Sequence, residues 1–207
     1  VLAKLIRRET RLVAVTTASN VTGAAPDLKA IREAIPARVL LLADGAQGGG
    51  HLPIDLSETG IDVLTLAGHK GLMGIQGSGA LLFSERANPR PLLYGGTGSD
   101  SFSLNMPDFY PDALEAGTLS FPAVSSLLEG VRYLSAKEKE ISGSLLFLTG
   151  YLLDALAGLP AYKVFSRPNP CGIVAFAHRE IQSVILSERL SEVYSVAVDG
   201  GLHWGPL

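Results

Sequence analysis

Four short apolar runs constrain this chain most: residues 12–17 (LVAVTT), 39–43 (VLLLA), 63–66 (VLTL) and 79–83 (GALLF). Each has the length of a strand and stays apolar on both alternating faces, the mark of a strand covered on two sides. Between the first two, Asp27 precedes the helical spacing Leu28, Ile31, Ile35, which Pro36 stops; residues 54–60 hold a short turn or helix. Strands alternating with helices predict an α/β fold: a mixed, mostly parallel sheet with helices on both faces.

At 207 residues the chain has room for one domain and part of a second. An apolar share of 47% against 18% charged residues suits a buried core and argues against disorder. The net charge of −3 gives no electrostatic case for nucleic acid or an anionic membrane. No uninterrupted apolar run approaches the roughly 18 residues of a membrane span. A single cysteine, Cys171, excludes an internal disulfide and fits a reducing, cytoplasmic setting. The chain begins at Val1 with no secretory leader, and residues 200–207 read as the opening of a loop. Both ends are expected to be cuts through a longer protein.

Residues 94–120 are rich in Gly, Pro and Ser without periodicity, which predicts a long functional loop. A helix is expected over residues 121–157, with Lys137-Glu138-Lys139-Glu140 solvated and Gly158 as its stop. Apolar runs at 162–165 and 173–176, an amphipathic stretch at 179–194 and a run at 196–198 then give strand, strand, helix, strand. The expected division is therefore residues 1–158, the central part of a large domain, and residues 159–207, an incomplete small α+β domain.

Polar groups gather where the apolar runs end: Asp44, Gln47, His69 and Lys70. Open α/β sheets bind ligands beyond the carboxyl ends of their strands. A lysine there can lose its proton if desolvated and attack a carbonyl. Pyridoxal phosphate offers such a carbonyl, and needs a carboxylate at its pyridine nitrogen and donors for its phosphate. Asp44 is the candidate carboxylate. Each residue alone has a blander reading. Asp44 could cap a helix, Lys70 could be a surface lysine, Gln47 could satisfy loop backbone, and His69 and His51 could be solvent-facing turn residues. The runs Gly48-Gly49-Gly50 and Gly95-Gly96 lack the spacing of a nucleotide-binding loop. Only the combination carries the chemistry.

That combination resembles a family. Asp44-Gly45-Ala46-Gln47, then His69-Lys70-Gly71-Leu72-Met73-Gly74, is similar to class V aminotransferases of fold type I, most of all their cysteine desulfurase branch. Further segments resemble the branch in order: Ser19-Asn20-Val21-Thr22-Gly23, Gln76-Gly77-Ser78-Gly79, Gly95-Gly96-Thr97-Gly98-Ser99, Glu115-Ala116-Gly117-Thr118 and Gly200-Gly201-Leu202-His203. The resemblance implies that Lys70 binds pyridoxal 5'-phosphate as a Schiff base and serves as the catalytic base. It implies that Asp44 pairs with the pyridine nitrogen, Gln47 hydrogen-bonds the phenolic oxygen and Ala46 packs on the ring. Asn20 would lie near that oxygen and the substrate carboxylate, and His69 would contact the phosphate. Thr97 would reach the phosphate in a partner subunit, which implies a homodimer acting on a small amino acid.

The pattern breaks in places. The hydroxyl usual two residues before the histidine is Ala67 here, which removes a phosphate donor. At the branch's nucleophilic cysteine stands Trp204, and at its arginine stands Asp199. Tryptophan cannot accept sulfur, and aspartate would repel a substrate carboxylate. Cys171 reads as a small buried hydrophobe. The family's N-terminal phosphate loop and ring-stacking residue, and a C-terminal arginine, have no counterpart in these residues. Three readings stay open: a cysteine desulfurase (L-cysteine to L-alanine with sulfur transfer); another pyridoxal-phosphate aminotransferase, lyase or racemase; or a degenerate, non-catalytic fragment. No metal site is expected.

Overall fold

The computed structural model describes residues 2–100 and 102–202. The chain runs α1 (Leu2–Leu5), β1 (Leu12–Thr16), α2 (Leu28–Ala34), β2 (Leu40–Asp44), α3 (Leu56–Thr59), β3 (Val63–Ala67) and β4 (Gly79–Phe83). A single 3-10 turn, Asp112–Leu114, interrupts the long connection to α4 (Phe121–Ala157), followed by β5 (Tyr162–Val164), β6 (Phe176–His178) and α5 (Ser183–Tyr194).

The first four strands form one sheet in the order β1-β2-β3-β4. The pairs β1–β2 and β2–β3 are parallel and β3–β4 is antiparallel, so the sheet is mixed and mostly parallel, as the apolar runs predict. Register sets Asp44 beside Thr16 on one flank and Thr65 on the other, at the carboxyl edge of the parallel strands. One face of the sheet is packed over β1, β2 and β3. Val13, Leu41, Ala43 and Leu64 are buried there with Leu28, Ile35, Val39 and Ile61, and Leu2, Ile31 and Leu56 of α1–α3, with Ile6 just past α1, pack against them. The opposite face is half open, with Leu12 47% and Leu81 42% exposed.

Local chemistry sets the boundaries. The Asp27 side chain accepts the Ala30 N–H (2.9 Å) and starts α2, and Asp55 accepts from Ser57 and Glu58 N–H to start α3. Gly60 closes α3 at φ 69°, a left-handed angle that glycine takes without strain. The Ser120 side chain caps α4, and Gly158 follows its last residue, as expected from sequence. Val39 lies outside β2 because its N–H donates to Pro36 O in a turn.

Two expectations for the chain after Gly158 need correction. The strand expected at 173–176 begins instead at Phe176, because the Asn169 side chain binds both the N–H and the C=O of Ile173. Residues 196–198 form no strand: Ser195 ends α5 in a left-handed conformation, and β5 and β6 pair only with each other. A three-residue apolar run becomes a strand only where an edge lies in reach.

α4, at 37 residues, is long and apolar enough to cross a membrane by length and composition alone, although its continuous apolar runs are short. One stripe of it (Ala123, Gly130, Leu134, Thr149, Leu153 and Leu156) is buried inside this fold.

Candidate functional site

Two turns leave the carboxyl edge of the sheet side by side. The first, after β2, carries Asp44, Ala46 and Gln47; the second, after β3, carries His69 and Lys70. Asp44 is exposed, and its Oδ1 accepts the Ala46 N–H at 2.9 Å, which folds the first turn back on the strand end. Beneath it lies Thr17, fully buried just past β1. The Thr17 hydroxyl donates to Asp44 O (3.0 Å) and accepts from Gly48 N (3.2 Å), and the Thr17 N–H also donates to Asp44 O (2.9 Å). Nothing in the apolar run marked Thr17 for this task, though a hydroxyl at the carboxyl end of a buried strand was the available signal.

The two turns touch through backbone. Gly45 N–H ties the start of the first turn to Thr65 O of β3 at 2.8 Å, and the turns themselves meet at glycines. A side chain on Gly50, at φ 82°, would strike the Gly71 carbonyl, and one on Gly71 would strike Gly49 O and the His51 ring. The glycine run at 48–50 therefore serves close packing, not nucleotide binding. Within the second turn, Met73 N–H donates to Lys70 O (2.9 Å) and Gly74 N–H to Gly68 O (2.7 Å). Met73 sits at φ 59°, a strained angle for a non-glycine residue. His69 and Lys70 are exposed, and neither side chain makes an ion pair or hydrogen bond among the described residues.

His51 needs correction. It is not a solvent-facing turn residue but half-buried, its Nδ1 fully enclosed without a hydrogen-bond partner. Burial holds its pKa below the ordinary imidazole value.

Asn20 and Gln47 share a cavity of about 410 Å³, closed on the far side by Ile173–Phe176, Ser183, Ser187 and Asp199. Asp199, at the position where the branch has arginine, is thus in reach of the space that Asn20 and Gln47 line. Thr97 lies elsewhere, half-buried in a cavity of about 730 Å³ within the loop after β4, together with Arg90, Tyr94 and Asn105. Cys171 is partly buried beside Gly172, and burial raises its thiol pKa. His203 and Trp204 lie outside the described residues. Among the described residues no group of three or more His, Cys, Asp and Glu could hold a metal ion.

Asn169 was not foreseen. It is 7% exposed and joins three segments: its N–H meets the Thr149 hydroxyl of α4, its side chain binds Ile173, and it fills the space over Gly23, where a Cβ would lie 2.6 Å from it.

A mixed, mostly parallel sheet with an acid, an amide, an imidazole and an unpaired amine on adjoining turns at its carboxyl edge defines the class: an open α/β domain with its polar groups gathered where the parallel strands end. The whole chain, residues 1–207, matches the aminotransferase class-V family, and the protein belongs to it. Among its relatives, the probable cysteine desulfurase of Methanothermobacter thermautotrophicus is 29% identical over 204 residues, 94% of this chain and 50% of that protein. The cysteine desulfurase CsdA of Escherichia coli is 31% identical over 211 residues, 98% of this chain and 51% of that protein. The crystal structure of CsdA from Escherichia coli matches with a TM-score of 0.80 over 98% of this chain and 51% of its own, at 32% identity. The apo cysteine desulfurase of Thermococcus onnurineus matches with a TM-score of 0.83 over 93% and 50%, at 25% identity. The fold is the fold type I architecture of those enzymes, and the chain spans about half the length of these relatives.

Proposed function

We propose that the full-length protein is a pyridoxal-phosphate-dependent enzyme acting on a small amino acid, with Lys70 as the residue that holds the cofactor. The observation that carries this reading is the backbone contact of the Asp44–Gln47 turn with the Lys70 turn through Gly50 and Gly71 at the sheet edge. The donor set fits the cofactor: a carboxylate for its ring nitrogen, an amide for its phenolic oxygen, an imidazole for its phosphate and an unpaired primary amine for its carbonyl. When bound, pyridoxal phosphate supplies an electron sink for a bond broken at the amino acid's Cα.

In this reading Asp44 keeps the pyridine nitrogen protonated, and Ala46, half-buried, offers an apolar surface to the ring. Gln47 and Asn20, lining one cavity, orient the phenolic oxygen and the substrate, and His69 holds phosphate. The Lys70 Nζ takes and returns the proton at Cα. Ala67, without a hydroxyl, leaves phosphate binding to fewer donors. Thr97, distant from the Asn20–Gln47 cavity, serves a second copy's phosphate, so the working unit is a homodimer. Residues 1–158 belong to the large cofactor-binding domain and 159–207 to the small one, with the boundary at the end of α4. Its setting is the cytoplasm.

Relatedness supports desulfuration of cysteine as the reaction. A second reading is favoured by one observation: Cys171, the single cysteine of these residues, does not line the cavity that Asn20 and Gln47 share. That suits transamination, elimination or racemisation, which need the lysine and acid but no thiol. Product analysis separates the two: sulfide from L-cysteine supports desulfuration, and keto acid without sulfide supports the alternative.

The cofactor assignment is tested in the full-length protein by absorbance. A yellow, borohydride-reducible band is expected, and Lys70→Ala should abolish it. A variant still yellow and reducible would overturn the role of Lys70, and a colourless wild type incubated with cofactor would favour a non-catalytic scaffold.

A further inference from the structure

We propose that α4 sets the position of Lys70: Ser126 and Gly130, four residues apart on one helix face, hold the backbone that follows it. This rests on the reading of Lys70 as the cofactor lysine. The Ser126 hydroxyl accepts the Ile75 N–H at 3.0 Å. Gly130 is buried in the helix interior, where glycine is otherwise unfavourable. A side chain there would overlap the Leu72 carbonyl oxygen and lie 3.1 Å from the Met73 carbonyl carbon. Between these two supports the neighbouring residue Leu127 meets the chain again, its Cα 3.2 Å from where a Gly74 Cβ would stand. One helical turn thus contacts residues 72–75 continuously.

The opposite side of the same segment is equally closed. Gly71 abuts Gly49 O and the edge of the His51 ring, so the chain just after Lys70 is pressed between the 49–51 turn and α4. A segment gripped from two sides can hold a conformation it would not adopt alone, and Met73 at φ 59° is such a conformation. Met73 N–H donates to Lys70 O, so the strained residue is tied directly to the lysine's own backbone. Lys70 itself has no side-chain partner among the described residues, so its placement comes from this backbone. Ser126 and Gly130 are positioning residues: they touch the lysine turn and not the reacting atoms.

The test compares full-length wild type with Ser126→Ala and Gly130→Ala. Gly143→Ala serves as a control on the same helix, at an exposed glycine with open space around it. The primary reading is competitive acetylation of Lys70 across pH, relative to Lys163, by peptide mass spectrometry. It needs no bound cofactor. Both variants should shift the pH profile of Lys70 labelling, while Gly143→Ala leaves it at the wild-type position. With pyridoxal phosphate added, protection of Lys70 should weaken, and turnover should fall by roughly ten- to a hundredfold, the scale of a small displacement at a reacting group. A lowered melting temperature with an unchanged Lys70 profile in both variants would overturn the proposal, since a structural role alone predicts that result. Should Gly130→Ala fail to fold, Ser126→Ala decides by the same reading, because it removes one hydrogen bond and adds no bulk. A wild type that never turns yellow defeats the cofactor assignment alone; the labelling comparison still decides whether α4 places this lysine.

Discussion

Thr17 is a polar residue with no exposed surface, and its hydroxyl and N–H both bond the Asp44–Gly48 stretch. Thr17→Val keeps shape but leaves the Gly48 N–H unpaired in a buried place, a loss of about 1–3 kcal/mol. The expected outcome is a lower denaturant midpoint with weaker cofactor retention, measured by unfolding and by dialysis of the yellow form. A midpoint equal to wild type would show that the turn stands without it. His51 supplies a pH-dependent effect. Burial depresses its folded-state pKa below the unfolded value of about 6.5. Above that value both states are neutral and nothing is lost. As pH falls from there through the folded pKa, the unfolded state binds the proton first and stability drops. Glu138 of α4 lines the same small cavity. Stability measured between roughly pH 7 and 5 should fall in wild type and fall less in His51→Gln; equal slopes would place the sensitivity elsewhere.

At the level of elements, the packed face of the sheet is locked by one buried acid. Asp62, 1% exposed, stands between β2, α2 and the end of β4. Its carboxylate accepts the Leu41 N–H (2.8 Å), pairs with Arg32 of α2 (3.4 Å) and Arg86 after β4 (3.2 Å), and takes the Ser84 hydroxyl (3.3 Å). The terminal nitrogens of Arg32 also donate to the carbonyls of Ile35, Pro36 and Val39. Asp62→Ala leaves Arg32, nearly buried, without its counter-charge, and removing one member of such a pair costs roughly 3–5 kcal/mol. Thermal unfolding should show that loss, whereas Glu129→Ala in the exposed pair with Arg132 should change stability by less than about 1 kcal/mol. If the two substitutions cost alike, the lock is not where the geometry places it.

On the scale of the whole molecule, much apolar surface is left open. Phe102 and Leu104 in the long loop are fully exposed, Leu92 is 92% exposed, and Phe121, Phe147 and Tyr151 of α4 are mostly exposed. Patches of this kind normally meet another surface. The chain spans about half the length of its relatives, whose remaining half is available to cover such faces. The 207 residues alone should therefore bind a hydrophobic dye strongly and self-associate, and the full-length protein should do neither to the same degree. Light scattering and dye fluorescence measured side by side would check it, and a clean monomer without dye binding would contradict it.

The apolar runs at 12–17, 39–43, 63–66 and 79–83 determined the strands, because short apolar segments bounded by turn residues bury most surface when paired into a sheet; which of them became edges was not legible, and β1 and β4 did. Asp27 marked the start of α2, since a cap needs only neighbours three residues away, and the caps at Asp55 and Ser120 follow the same local rule. Asp44, Gln47, His69 and Lys70 were legible as a set because strand ends are where such groups collect. Tertiary structure alone decided the rest. The antiparallel turn of β4, the burial of His51, the work of Thr17 and Asn169, and the closeness of Gly130 to Leu72 all depend on residues far apart in the chain. No local pattern encodes which distant backbone will arrive beside a given side chain, so those partners appear only once the chain is folded.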